Sequence, residues 1–579
     1  MKKKFAVTFA SLVGLLLSSC SFLNIFKPNV KSIEITNKRE GILLGEELQL
    51  EVKTLPENAK NTNIVWKSSS EDVASITDEG KLSALKVGST TVEAISAKKP
   101  SIKDSFEINV VEATTIDKTK LSYTYDDYMA HNYYPLDNCP LEGNLKLLII
   151  PIWFSDSNTF IDTSKKNEIR NDIQKAYVGS PSDTGWHSIK SYYETESKNK
   201  ITLSATIADW YNVGTSYLTY AYKIAQDSLT PELVKTASDY YFSNHLSDNR
   251  SNYDSNNDGY LDGVMLIYAA PENDSLGNSS YENLWAYCNW RQVEPNISSP
   301  EPNVFFWASY DFMYGSNAYQ KTGKSSYARG YTEYGVTIDT HCFIHEMGHV
   351  LGLEDYYDYS GQHIPAGGFS MQDYNVGGHD PYSVMAYGWA DPSIPDKSMT
   401  ISIGDFQSTH DVILLANHSV SNSPFDEYLL LEYYTPTILN EFDSKHPYRE
   451  YYPTGPAKGG IRLWHVDARL YSFYTYKFTT DPTVGGIYHA MSNSGSPVSS
   501  AYDNYNLLQL IRNNKIATYT SKDNISQGDL FMVGDSFDAS TFKSQFVNGE
   551  KMNNGKALGW SFNVVSLSEN KAVITLTKA

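Results

Sequence analysis

Cysteine is scarce, with four in 579 residues, at positions 20, 139, 288 and 342. No CxxC spacing occurs, and the three that follow Cys20 cannot all pair internally, which excludes a disulfide-stapled scaffold. Positive charge is short too. Against 67 Asp and Glu stand 47 Lys and Arg, a net charge of −20, so no basic stripe exists to meet phosphates and nucleic acid is excluded as a partner. Long apolar runs are missing beyond the first twenty residues, where no segment reaches the about 18 uninterrupted apolar positions of a spanning helix. No internal repeat is visible. What remains is ordinary for a globular chain, 41% hydrophobic and 20% charged. Aromatics stand out at 13%, and 44 of them are tyrosine, a composition common in secreted β-rich proteins and suited to binding surfaces. Single cores stop growing at about 250–300 residues, so two or three domains are expected.

The N-terminus reads as an address. Lys2, Lys3 and Lys4 precede an apolar stretch from Phe5 to Leu17 that is too short to span comfortably. Leu17-Ser18-Ser19-Cys20 resembles the lipobox of a bacterial lipoprotein signal. That resemblance implies lipidation of Cys20, cleavage before it, and a lipid anchor in the membrane at the extracellular face of the bacterial cell. The alternative is an ordinary secretory signal, and both readings place the chain outside the cytoplasm.

Residues 29–112 alternate in short runs such as Ser32-Ile33-Glu34-Ile35 and Thr90-Thr91-Val92-Glu93-Ala94, with turn signals between them. The stretch from Trp66 through Val73-Ala74-Ser75-Ile76, Gly80, Ala84 and Gly88 resembles the bacterial Ig-like domain, group 2. An all-β sandwich serving as a spacer is expected, with Trp66 in its core. Residues 113–143 are polar and Tyr-rich and read as a linker. From 144 to 395, strand and helix patterns alternate: the apolar run 145–154, helical sequence to about Tyr177, a helix from Ser188, and strands at 201–207 and 263–268. An α/β (α+β) domain is expected there, with a polar Asn- and Ser-rich insertion at about 290–330. Residues 396–579 carry short strands and are expected to form a β-rich C-terminal domain.

The chemistry concentrates at His345-Glu346-Met347-Gly348-His349. Two histidines at i and i+4 on a helix project from one face and can grip one zinc ion. Phe343, Ile344, Met347, Val350 and Leu351 recur at helical spacing and predict an amphipathic helix here. Gly352 follows where a left-handed residue can end that helix. The chain can then turn back and present Asp355, six residues past His349, as a third ligand; Glu354 and Asp358 are the other nearby carboxylates. Three protein ligands leave a position open, and Glu346 stands where a general base for metal-assisted hydrolysis is needed. His341 shares the helix face but lies about 12 Å along the axis from His349, too far to join it on one ion. A place on the cleft rim or in solvent is expected for it.

The string from His345 to Asp355 reads HExxHxxGxxD, which resembles the metzincin pattern with Asp for the third His. It is most similar to the M6 peptidases, the immune inhibitor A family. Trp186-His187-Ser188-Ile189-Lys190-Ser191-Tyr192-Tyr193 and Gly459-Gly460-Ile461-Arg462-Leu463-Trp464-His465-Val466-Asp467 are similar to segments on either side of the motif in that family. The resemblance covers about residues 140–579. It implies a metzincin-like zinc peptidase domain acting on proteins or peptides, with His345, His349 and Asp355 on zinc and Glu346 as base. It also implies a methionine turn beneath the metal. Met371 and Met385 are the candidates, the first nearer the family's position and the second in the better SxMxY setting. Tyr374 or Tyr387 is a candidate to assist the oxyanion.

Asp254-Ser255-Asn256-Asn257-Asp258-Gly259-Tyr260-Leu261-Asp262 has the oxygen spacing of a calcium loop, with Asp254, Asn256, Asp258, the Tyr260 carbonyl and Asp262 as ligands. Its twelfth position is Met265, so it is not a full EF-hand. Cys139, just before the catalytic region, is a weak candidate for a thiolate capping the metal in a latent form. Two rival functions remain open from the sequence: an adhesion or binding lipoprotein on an inactive zincin scaffold, and a zinc amidase acting on peptidoglycan.

Overall fold

A computed structural model of the chain describes residues 27–133, 136, 139–221, 229–271, 285–324, 328–449 and 452–579. Cys20 and the leader lie outside the described residues. No helix among those described is long and apolar enough to cross a membrane.

The N-terminal unit is all β, as the alternation predicts. Small sheets of two, three and four strands close around Ile33, Ile35, Ile42, Leu48, Leu82, Val92, Ile108 and Val110. Trp66 is half-buried at the margin of this core. Its indole lies against Gly80, where φ is +84° and an added Cβ would sit 2.7 Å from Nε1, so only glycine fits.

The region that carries the HExxH motif is built on a six-stranded sheet. Its order runs Ile201–Ile207, Gly143–Trp153, Val264–Tyr268, Val304–Ser309, Tyr287–Trp290, with Tyr211–Asn212 also paired to Gly143–Trp153. Neighbours are parallel except at Tyr287–Trp290, which runs antiparallel. The central strand is apolar on both faces because both are covered. Leu145, Leu147 and Ile149 enter the core that contains the HExxH helix. Leu148, Ile150 and Ile152 pack with Leu233, Val234, Ala237 and Tyr241 of the helix Leu229–Asn244.

Two sequence expectations need correction here. The polar insertion at 290–330 contains the fully buried strand Val304–Ser309. Five apolar residues and a serine in a long polar surround are too few to shift its overall composition, although they are enough for a strand. The segment 113–143 is not a free linker. Thr114 and Lys118 bridge to Ile401 and Ser393, and the helix Tyr125–Ala130 buries Tyr125, Tyr128 and Met129. Six residues are too short to display a helical period, and tyrosine carries a polar end on an apolar body, so the burial is hidden in the composition.

The β-rich region after 395 has a core of its own and also contributes to the core of the preceding domain. Its first sheet, Val412–Leu415, Glu427–Tyr434, Gly460–Asp467 and Leu508–Ile511, presents Leu429, Leu431 and Leu463 to a second sheet carrying Phe562, Val564 and Ile574. The opposite face, with Tyr428, Leu430, Trp464 and Val466, belongs to the catalytic core. Each large apolar side chain buried this way contributes roughly 1.5–3 kcal/mol, so the two regions hold one another in place.

Candidate metal centre

The HExxH motif lies on the helix His341–Val350, buried along nearly its whole length. Neighbouring elements fix it through its backbone carbonyls: Tyr193 Oη donates to Ile344 O (2.6 Å) and Tyr387 Oη to Gly348 O (2.9 Å). Gln372 packs close over Gly348, where a Cβ would lie 2.2 Å from Gln372 Oε1 and would displace that side chain. At the C-terminus the Gly352 N–H bonds His349 O and the Leu353 N–H bonds Gly348 O. Gly352 has φ +109°, and this reversal carries the chain back toward the histidines.

The reversal brings the three expected donors together. His345 Nε2 lies 2.9 Å and His349 Nε2 3.2 Å from Asp355 Oδ1, and the two Nε2 atoms are 3.1 Å apart. Among the described residues, this is the group of His, Cys, Asp and Glu gathered closely enough to hold a metal ion. Three donors at zinc distances around a tetrahedral ion lie about 3.3–3.6 Å apart, close to the triangle observed. The tautomers agree. His345 Nδ1–H donates to Met371 O (2.8 Å) and His349 Nδ1–H to Leu353 O (2.7 Å), which leaves lone pairs on both Nε2 atoms. Two lone pairs and a carboxylate oxygen converge on one point, and only a cation or protons relieve their repulsion. Without a metal, protons take that role. Burial opposes charge on His349, but the Asp355 carboxylate outweighs it and raises the imidazole to about 9. Burial likewise works to raise Asp355, yet His349 and His345 hold it well below the usual carboxylate range. The donor set therefore fits zinc.

Glu346 stands beside this triangle. Burial pushes its carboxyl above the ordinary value, partly offset by His349 and His345, and its buried Oε2 has no hydrogen-bond partner among the described residues. His345, Glu346, His349 and Asp355 open onto a cleft of about 1030 Å³ whose opposite wall is the edge strand Tyr287–Trp290.

Other residues singled out from the sequence fall elsewhere. His341 is not at a rim: it is wholly buried, stacked 3.7 Å from Trp186 and 4.2 Å from Tyr448, between Asp339 (2.8 Å) and Asp443 (3.4 Å). Tyr387 braces the motif helix instead of facing the cleft, and Tyr374 stacks behind Tyr357. Met371 supplies the carbonyl that orients His345, whereas Met385 is buried in the helix Pro381–Ala386. Glu354 pairs with His489 (2.8 Å) and Asp358 caps a local turn through Ser360 and Gln362. Cys139 is buried and its thiol is pushed well above 9, the reverse of a thiolate ready to cap a metal. In the loop 254–262, Asp254 accepts the N–H groups of Asp258 and Gly259, Asp258 that of Tyr260, and Asp262 that of Ser255.

Tyr357 and Tyr359 were missed, although they follow the third ligand by two and four positions. Tyr359 Oη donates to Asp355 Oδ2 (2.6 Å), leaving Oδ1 directed at the histidines. Tyr359→Phe is expected to weaken zinc binding about 10- to 100-fold, read from competition with a chromogenic chelator. Unchanged affinity would show that Asp355 needs no such support.

A mixed sheet, an HExxH helix packed under its antiparallel edge and three convergent donors have the form of a metallopeptidase catalytic domain. Residues 161–375 match the family model of the immune inhibitor A peptidase M6 catalytic domain, and residues 29–104 that of the bacterial Ig-like domain, group 2. The chain thus carries an M6 peptidase catalytic domain behind an Ig-like domain. Two uncharacterized proteins of Clostridium acetobutylicum are similar to it. One is 25% identical over 134 residues, 21% of this chain and 14% of its own length. The other is 23% identical over 93 residues, 16% of this chain and 23% of its own length. The chain therefore spans under a quarter of either relative. Among solved structures, invasin, a bacterial integrin-binding protein, matches with 20% identity over 17% of this chain and 22% of that one, at a TM-score of 0.12. A likeness of that size carries no argument about activity.

Proposed function

We propose that this chain is a zinc metalloendopeptidase that hydrolyses protein or peptide bonds outside the cell, anchored at the surface through lipidated Cys20. The observation that carries the reading is the convergence of His345, His349 and Asp355 beside the unpartnered Glu346 Oε2. A zinc ion held by those three residues would supply Lewis-acid polarisation of the scissile carbonyl and acidify a water. Glu346 takes the proton of the attacking water on its carboxylate and passes it to the leaving nitrogen as the C–N bond breaks. Tyr287–Trp290 lies at the end of the sheet order and lines the cleft, so its outer edge offers backbone donors and acceptors to an extended peptide. Calcium at 254–262 belongs to the same reading as a structural ion, supported by residue types and spacing alone.

The test is cleavage of unfolded casein, with and without a zinc chelator, alongside metal analysis. The expected result is one zinc per chain, calcium in addition, and cleavage that chelation stops and added zinc restores. Bound zinc without cleavage of casein would favour the binding scaffold, or the amidase if peptidoglycan is cut instead. A protein that binds no zinc would sink the proposal.

A further inference from the structure

The catalytic cleft has a neighbour on its Glu354 side. A second hollow of about 310 Å³ opens beside it, walled by Phe473, Tyr488, Met491 and Val498. Glu354 and Ser492 line both cavities, so the hollow and the cleft are immediate neighbours. The apolar wall comes wholly from residues 473–498, in the β-rich region outside the M6 match. The wall is well supported. Tyr488 sits on the strand Ile487–His489, paired with Leu470–Ser472, and its ring meets Phe473 edge-on at 5.7 Å. Met491 is wholly buried. At the junction, His489 holds Glu354 Oε1 (2.8 Å), stacks on Tyr128 (4.5 Å) and meets Tyr382 Oη (3.2 Å), so this corner is rigid.

Charge narrows the occupant. Among the described residues no Lys or Arg lines either cavity, while Glu346, Glu354, Asp355 and Asp358 do. Of these, Glu354 lines the hollow itself, and a second carboxylate entering beside it is disfavoured. The volume lies at the bottom of the range for ligand pockets, about 300–1,000 Å³, which is room for one large side chain and not for a folded segment.

We infer that this hollow is a substrate subsite, in which the C-terminal β region receives an aromatic or large aliphatic side chain of the polypeptide whose backbone lies in the catalytic cleft. The inference rests on the peptidase reading. The β region then selects substrate as well as supporting the catalytic core.

Ser496 is an exposed residue at the hollow's margin, and Ser496→Trp would fill the space without disturbing the core. The experiment uses the full chain and quenched-fluorescence peptides that vary one position at a time among Phe, Leu, Gly and Asp on both sides of the cut. Wild type is expected to prefer Phe or Leu over Gly by about 10- to 200-fold in kcat/KM at one position, with Asp poorest. In Ser496→Trp that ratio should fall toward one at the same position. Val498→Ala, which enlarges the hollow, should shift the preference toward the bulkier side chain. A wild type that cleaves peptides with no such preference, or a preference that Ser496→Trp leaves intact, overturns the subsite while the peptidase stands. A wild type that cleaves neither peptides nor casein overturns both.

Discussion

Glu346→Gln is expected to lower kcat by about 10²- to 10⁴-fold, the range that a positioned general base contributes. Glutamine keeps the shape and the hydrogen-bonding reach of glutamate but cannot take up a proton. Zinc content and KM should therefore stay near wild type, because the three donors His345, His349 and Asp355 are untouched. This separates the base from the metal site: removal of a donor such as Asp355 is expected to lose zinc and activity together. Single-turnover cleavage of a peptide, with metal analysis on the same sample, reads both quantities. A Glu346→Gln protein that retains zinc and cuts at the wild-type rate would remove Glu346 from the chemistry, leaving its unpartnered Oε2 without a role.

The second large effect concerns stability. His341→Gln is expected to destabilise the catalytic unit by about 3–5 kcal/mol at pH 6, the cost of removing one partner from a buried charge cluster. His341 is wholly buried between Asp339 and Asp443. Burial opposes its charge, but the two carboxylates outweigh it and raise the imidazole to about 9. Arg449 near Asp339 is the remaining charge, and His187, which burial lowers to about 4, is neutral at pH 6 and above. The folded value lies above the ordinary 6.5. The contribution is therefore full below about pH 6.5 and is lost as the pH climbs through about 9, roughly 3 kcal/mol in all. Thermal unfolding at pH 6 and pH 9.5 reads this. Wild type should lose much of its advantage over His341→Gln across the interval. A gap between the two proteins that stays constant over that range would mean that His341 acts by packing and not by charge.

The site was legible where its geometry is local. His345 and His349 lie one turn apart on a helix whose apolar period is visible from Phe343 to Leu351, and Gly352 marks the reversal that brings Asp355 back. The same locality would have exposed Tyr359, four residues beyond Asp355. It was overlooked because the run from Tyr356 to Tyr359 reads as more of an already tyrosine-rich composition. His341 was misplaced for the opposite reason. Asp339, two residues before it, is in view, but the second carboxylate Asp443 is 102 residues away and Tyr448 lies farther still, so the enclosure that buries the charge is not announced locally.

The sequence by itself determined the order of β unit, α/β unit and β-rich region, and the chemistry of the HExxH helix. Alternation, helical period and glycine punctuation act over a few residues and need no partner to be read. Tertiary structure alone decided which faces meet. Strands buried on both sides, such as Glu427–Tyr434, look the same in sequence whether they close a separate domain or share a core with the catalytic sheet. The pairing of Glu354 with His489 and the second hollow beside the cleft arise in the same way. Residues more than a hundred positions apart become neighbours only because burying apolar faces drives two sheets together, and that driving force depends on area and not on order along the chain.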